Sequence, residues 1–349
     1  MSLQKNGVSN KLSILYIGNK LAVHGRTPTS IDTLGKLLEE EGHTLYYSSS
    51  KLKQRSRMLD MLSAIWKYRG KVDVVLIDTY STAAFNFAWA CGRLCKMLGV
   101  KYIPILHGGN LPERFKNSPR KCRQLFGRAF TNVTVSAYLQ DHLVNAGYKG
   151  VTIGNAITFE KYPYKERSRI QPYILWVRAF HTTYNPEMAI LAFEMFVKEF
   201  PNAKLTMVGP DVDGSMILCK QLVKDYKLEG KVQFTGKLSK EEWIQLAQDC
   251  NMFINTSNFD NQPVSIIEAM ALGLPIISTN VGGIPYMLTH TATGMLIPRD
   301  NPEALCNAMT LLMHDAKIAN RLSMNGRKYA VQFDWDILKN KWEQLFASV

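Results

Sequence analysis

Short apolar runs alternate with amphipathic stretches along almost the whole chain. Residues 12–17 form one such run, and 30–41 then repeats Ile31, Leu34, Leu37 and Leu38 at helical spacing until Gly42 stops it. The same order of strand, loop and helix recurs, with strands expected at 44–47, 72–77, 101–106, 132–135 and 151–153 and helices at 82–98 and 137–146. Residues 159–172 turn polar and proline-flanked, which is linker composition. A second array follows, with strands at 173–177, 204–208, 232–235, 252–254 and 275–278 and helices at 186–199, 216–226 and 241–248. Uniformly apolar strands that alternate with helices imply mostly parallel sheets covered on both faces. The expected fold is therefore α/β, with doubly wound domains over 1–165 and 166–332. A closing helix over 333–349 carries Trp335, Ile337, Leu338, Trp342 and Leu345 at helical spacing. Ligands of such sheets bind beyond the carboxyl ends of the strands, so a cleft between the two domains is the expected site.

Composition narrows the class. A chain of 349 residues with 46% hydrophobic content can build two cores, and its 23 glycines and 14 prolines exclude collagen-like or low-complexity structure. The six cysteines lack the paired spacings of zinc or disulfide frameworks, and Cys91 and Cys95 read as small apolar side chains on one helix face. Residues 1–11 have no apolar core of the secretory kind, and the most apolar window, 82–100, contains Arg93 and Lys96. A cytoplasmic protein without membrane spans is expected, with a place on the inner face of the cytoplasmic membrane left open by its charge.

That charge, formally +13, is one-sided: residues 1–168 hold 25 Lys and Arg against 11 Asp and Glu, and the remainder is nearly balanced. One cluster comprises Lys51, Lys53, Arg55, Arg57, Lys67, Arg69 and Lys71, interleaved with Met58, Leu59, Leu62, Ile65 and Trp66. A second comprises Arg114, Lys116, Arg120, Lys121, Arg123 and Arg128, interleaved with Phe115, Leu125, Phe126 and Phe130. Basic side chains set among large apolar ones suit an anionic membrane surface. A nucleic-acid partner is not expected, because charge alone would support it.

The chain lacks G-x-G-x-x-G after its first strand, G-x-x-x-x-G-K-[ST], H-E-x-x-H and G-x-S-x-G. Dinucleotide oxidoreductases, P-loop ATPases, zinc hydrolases and nucleophile-elbow hydrolases lose ground accordingly. The richest stretch is 255–288, NTSNFDNQPVSIIEAMALGLPIISTNVGGIPYML. A strand ends near Asn255, a loop carries Asp260, Asn261 and Gln262, Pro263 suits the first helical position, and Gly273 closes the helix. Unpaired backbone N–H groups near Val264 and Ser265 make a ready site for a diphosphate. Glu268, one to two turns in, can accept from the neighbouring hydroxyls of a ribose, and Asp260 can do the same for a sugar.

This arrangement resembles the acid-x7-acid region of retaining glycosyltransferases of family 4, which have the GT-B architecture of two facing Rossmann-like domains. Asp260 stands where that family usually has Glu, and EAMALGLPIISTNVGGIP follows the family pattern. The resemblance implies that Arg178, at the end of the strand 173–177, meets the donor diphosphate. The family's following Lys is missing from the loop Ala179-Phe180-His181-Thr182-Thr183-Tyr184-Asn185, where His181 is the one candidate to replace it. Residues 205–211, which include Gly209, resemble the family's second strand and Gly-containing turn, and residues 232–238 resemble the segment that approaches the nucleobase; both segments read equally as ordinary βα turns. His107, followed by Gly108, Gly109 and Asn110 at a strand end, falls where similar enzymes place a His near the transferred sugar. Gly25 and Arg26, in the loop after the first strand, are assigned with His107, Gly108 and Asn110 to the acceptor side.

The resemblance thus implies transfer of a sugar from a nucleotide-sugar donor, a UDP-sugar ahead of a GDP-sugar, to a hydroxyl of a glycan or lipid-linked acceptor. Retention of configuration, no bound metal and no other cofactor are expected, with the closing helix crossing back onto the first domain. The competing readings are a GT-B relative that isomerises or hydrolyses nucleotide sugars, a binding protein without transferase activity, and a polyanion binder.

Overall fold

The computed structural model of the chain describes residues 11–25, 27–167 and 170–349, so Arg26, assigned above to the acceptor side, lies outside the described residues. The chain divides into two compact units, one of Met1–Ala156 with Trp335–Val349 and one of Ile157–Asp334.

The first unit contains, in order, β1 (Ser13–Ile17), α1 (Ser30–Glu40), β2 (Thr44–Ser48), α2 (Gln54–Tyr68), β3 (Val74–Thr79), α3 (Phe85–Met97), β4 (Tyr102–Leu106), α4 (Leu111–Asn117), α5 (Pro119–Leu125), β5 (Val133–Thr134), α6 (Ala137–Asn145) and β6 (Val151–Thr152). Its strands form one parallel sheet in the order β2-β1-β3-β4-β5-β6. Every residue of β3 and β4 is buried, which explains why these strands read as unbroken apolar runs. Leu15, Ile17, Val75 and Ile77 pack towards α2 and α3 with Met61, Ile65, Phe85, Cys91 and Cys95. Ile14, Tyr16, Val74 and Leu76 lie in the other core layer, which is closed by Trp335, Leu338, Trp342 and Phe346.

The second unit contains β7 (Tyr173–Val177), α7 (Pro186–Glu199), β8 (Lys204–Val208), α8 (Ser215–Asp225), β9 (Val232–Gly236), α9 (Lys240–Ala247), β10 (Met252–Asn255), α10 (Val264–Ala271), β11 (Ile276–Thr279), β12 (Met295–Ile297), α11 (Pro302–His314) and α12 (Ala316–Ala330). Its parallel sheet runs β12-β11-β10-β7-β8-β9. The last helix, α13 (Trp335–Phe346), belongs to the first unit, where Trp335 Nε1 donates to Glu41 Oε1 at 3.0 Å.

Both sheets reverse their strand order once, between β1 and β3 in the first and between β7 and β10 in the second. Such switch points leave a crevice at the carboxyl ends of the two central strands. Gly25, Arg178 and Asp260 follow β1, β7 and β10, whose loops lead to those points, and His107 follows β4, the neighbour of β3.

The stretch 159–172, polar enough to read as a linker, is part of the second unit. Arg167 is fully buried and donates to the carbonyls of Lys165, Ala247, Cys250 and Leu272. Tyr162 is buried in the same core. The division falls after Ala156 rather than after residue 165. A charged, proline-flanked sequence looks solvated when its hydrogen-bond acceptors lie far along the chain.

Candidate functional site

In the second unit Arg178 follows β7 directly, and its own N–H donates to Val208 O at 3.0 Å. The approach depends on Gly209, whose φ of 151° is left-handed and whose Cβ, if present, would lie 1.8 Å from Arg178 O. The Arg178 guanidinium pairs with Asp260, in the loop after β10, so the ion pair spans the switch point. Both side chains are mostly buried, and the guanidinium lies 5.0 Å from the centre of the Tyr184 ring. Arg178 Nε is buried and donates to nothing.

The loop carrying Asp260 is held from behind by glycines. Asp260 Oδ1 accepts from the Asn261 N–H at 2.9 Å, and Asp260 O accepts from the Gly283 N–H at 2.9 Å. A Cβ on Gly282 or Gly283 would stand 2.1 Å from the carbonyl oxygen of Asp260 or Asn261, so the pair in TNVGGIP is a packing requirement of this loop. Asn261 is buried and Gln262 is half-buried. Pro263 is the N-cap of α10 rather than its first helical residue: its ψ of 112° is extended, and its carbonyl accepts from the Ile266 N–H. Val264 opens the helix, and Ser265 Oγ in the first turn is buried without a hydrogen-bond partner.

Glu268, 4% exposed, faces a different cation from Asp260. Its Oε1 accepts from Tyr162 Oη at 2.7 Å and from Lys240 Nζ. Burial, and secondarily the Glu268 charge, push the Tyr162 hydroxyl pKa well up, so it stays a donor. Lys240 is the first residue of α9, placed there by a capping box in which Ser239 Oγ accepts from the Glu242 N–H and Glu242 accepts from the Ser239 N–H. Neither Tyr162 nor Lys240 was legible as a site residue, because no local motif announces a partner that lies 106 or 28 positions away. His181 does not stand in for the missing Lys beside Arg178: its Nδ1 accepts from the Thr183 N–H, and its Nε2 lies 3.9 Å from Asp213.

In the first unit His107 follows β4. Its Nε2 lies 2.8 Å from Oδ1 of Asp78, on β3, and its ring stacks on Tyr80 at 5.4 Å. The same Asp78 oxygen accepts from Tyr16 Oη at 3.0 Å, while Asp78 Oδ2 is buried without a partner. Burial, together with the Asp78 charge, raises the pKa of both Tyr16 and Tyr80. A small cavity lined by Gly18, Asn19, Asp78 and Tyr80 opens at this switch point. Gly108 and Asn110 lead from His107 into α4, with Asn110 exposed at its N-cap, and Gly25 ends the short turn after β1 in a left-handed, exposed conformation. Asp78 had no sequence signal beyond a carboxylate near the end of an apolar strand.

Among the described residues, five buried side-chain polar atoms lack a partner. Three of them, on Arg178, Ser265 and Asp78, lie at the two switch points, where a ligand would satisfy them. Among the same residues no three His, Cys, Asp or Glu side chains are grouped to hold a metal, and no helix is long and apolar enough to cross a membrane.

Residues 160–329, nearly all of the second unit, match the family model described as Glycosyl transferases group 1. The chain is 26% identical over 183 residues to the N-acetyl-alpha-D-glucosaminyl L-malate synthase of Bacillus anthracis, covering 52% of this chain and 47% of that protein. It is 26% identical over 238 residues to the amylovoran biosynthesis glycosyltransferase AmsK of Erwinia amylovora, covering 63% and 58%. The matched stretches thus span about half the length of these relatives. Among solved structures, HepE of Anabaena in complex with UDP and glucose superposes with a TM-score of 0.75 at 16% identity, over 97% of this chain and all of that one. The sucrose-phosphate synthase of Thermosynechococcus elongatus gives 0.78 at 17% identity over the same shares. These likenesses show the fold: two Rossmann-like domains of GT-B type.

Proposed function

We propose that this chain transfers a sugar from a nucleotide-sugar donor to a hydroxyl of a glycan or lipid-linked acceptor, with retention of configuration, in the synthesis of a cell-surface polysaccharide or glycolipid. The observation that carries the reading is the pair of buried, unsatisfied groups at the second switch point, Arg178 Nε and Ser265 Oγ, beside the N-terminus of α10. A diphosphate is an acceptor-only dianion that such groups fit: the guanidinium supplies a charge-assisted donor and the helix end supplies free N–H groups near Val264 and Ser265. Glu268 would take the ribose and Asp260 the transferred sugar, and His107 is the first unit's candidate for a sugar contact. The family match over 160–329 supports the assignment, and the UDP in the HepE complex supports a UDP-sugar ahead of a GDP-sugar.

In the proposed reaction the bond from the sugar's anomeric carbon to the diphosphate oxygen breaks, and the acceptor oxygen bonds to that carbon on the same face. The acceptor proton passes to the departing phosphate oxygen. Arg178 and the α10 N-terminus offset the negative charge that develops there, and removing one such group from a site of this kind costs about 3 kcal/mol of barrier. No bound metal is required. The acceptor is assigned to the first unit, through Gly25, Arg26, Gly108 and Asn110, and that unit is read as resting on an anionic membrane surface.

Release of nucleoside diphosphate from UDP-glucose, UDP-N-acetylglucosamine and GDP-mannose, measured with and without a lipid extract and with EDTA present, tests this. Acceptor-dependent, EDTA-insensitive release supports transfer. Release that needs no acceptor would mean a hydrolase or isomerase, and donor binding without release would mean a binding protein.

A further inference from the structure

All of the formal charge excess belongs to the first unit, whose sequence holds 24 Lys and Arg against 11 Asp and Glu, while the second unit is balanced at 18 of each. Its two basic stretches are built differently. In the second, most of the large apolar side chains turn inward: Leu125 and Phe126 are buried and Phe115 packs edge-on against Phe126 at 5.6 Å, while Phe130 is exposed with Lys101 Nζ 5.3 Å from its ring centre. Arg114 donates to Ser81 O and Thr82 O, and Lys121 donates to Asn86. That stretch presents cations with one exposed Phe and no line of apolar side chains.

The first stretch is the reverse. Met61 and Ile65 of α2 enter the core, whereas Leu52, Leu59 and Trp66 stand 54%, 68% and 56% exposed. Seven residues separate successive members, which places Leu59 and Trp66 in one line along the helix two turns apart. Arg57 does not join the cationic surface: it is buried and donates to Lys51 O, Leu52 O and Asn19 Oδ1. This clamp fixes the segment that carries Leu52 at the head of the helix. It is reinforced from the turn after β1, where His24 Nε2 bonds Ser50 O at 2.8 Å and Val23 is exposed. Lys51, Lys53, Arg55, Lys67, Arg69 and Lys71 are all exposed around the line, and the single acid of α2, Asp60, accepts from Ser48. The Arg69 guanidinium lies over the Trp66 ring at 4.1 Å.

We propose that this face of α2 is the surface that docks on an anionic lipid bilayer, with Leu59 and Trp66 entering the headgroup boundary and the six exposed cations meeting lipid phosphates. The inference rests on the membrane reading of the first unit. Charge complementarity selects the occupant: an apolar line without cations would suit another protein, and cations without an apolar line would suit any polyanion. A Trp flanked by Lys and Arg matches the interface between acyl chains and headgroups.

The test is flotation of the full chain with vesicles of phosphatidylcholine alone or mixed equally with phosphatidylglycerol, at low salt. The wild type should float with the mixed vesicles only, and its emission, less that of Trp66→Phe, should shift to the blue. Leu59→Ser with Trp66→Ser should raise the lipid needed for half-binding about tenfold, with an unchanged thermal midpoint. Lys67→Gln, Arg69→Gln and Lys71→Gln should cost roughly fivefold each, and far less should follow from Arg120→Gln, Arg123→Gln and Arg128→Gln. No flotation of the wild type at low salt overturns the membrane reading itself. Flotation untouched by the apolar pair, or equal losses from the two charge triples, overturns the assignment to α2 and points to a polyanion held by net charge.

Discussion

Asp260 and Glu268 lie eight residues apart and would be one acidic pair if spacing were the whole story. The structure gives each its own cation, Arg178 for Asp260 and Lys240 for Glu268. Both Tyr162 and Lys240 bind Glu268 at Oε1, which fixes the orientation of the carboxylate proposed to meet the ribose. Tyr162→Phe and Lys240→Met should therefore each weaken UDP binding about tenfold, the worth of a hydrogen bond to a charged group, while leaving inorganic pyrophosphate binding unchanged. Titration calorimetry with the two ligands decides it, and equal losses for both would place these residues at the phosphates instead. At this scale the sequence singled out Arg178, Asp260 and Glu268 as candidates but not the groups that hold them. Arg178, Asp260 and Glu268 stand beside motifs that the chain spells out locally, whereas Asp78, Tyr162 and Lys240 matter through contacts closed by the fold.

The two ends of α10 are satisfied differently. Its N-terminus keeps a buried, unpartnered Ser265 hydroxyl. Its C-terminus is saturated: Arg167 donates to Leu272 O, and Arg327 donates to Ala271 O and Tyr162 O. Cations at a helix C-terminus complement its dipole. Burial lowers the Arg167 pKa to about 10, still far above neutrality, so the charge persists. Arg167→Met should lower stability by about 3 kcal/mol, because it strands several buried carbonyls, and urea unfolding measures it. A loss under 1 kcal/mol would show that this end of α10 is held by packing alone. Alternating apolar runs and helical periods revealed most strands and helices in advance, because parallel strands buried on both faces leave a strong signal. The Arg167 cap left none: its acceptors are main-chain carbonyls of α9, α10 and the loops behind them, which no side-chain pattern encodes.

Across the whole molecule, charge and chemistry are segregated. The neutral second unit holds the family match and the candidate diphosphate site, and the first unit holds the excess of cations and the Asp78–His107 pair. Two parallel sheets with one reversal each explain why both candidate sites lie at switch points. The order of those strands could not be read from the chain, since alternation of strands and helices is common to many parallel sheets. The most direct test of the central claim is calorimetric titration of UDP into the full protein in EDTA, for the wild type and Arg178→Gln. Metal-independent binding to the wild type is expected, with a loss of about a hundredfold in the variant, as for a buried charge-assisted contact with phosphate. Binding of equal strength in the two proteins, or none at all to the wild type, would contradict it.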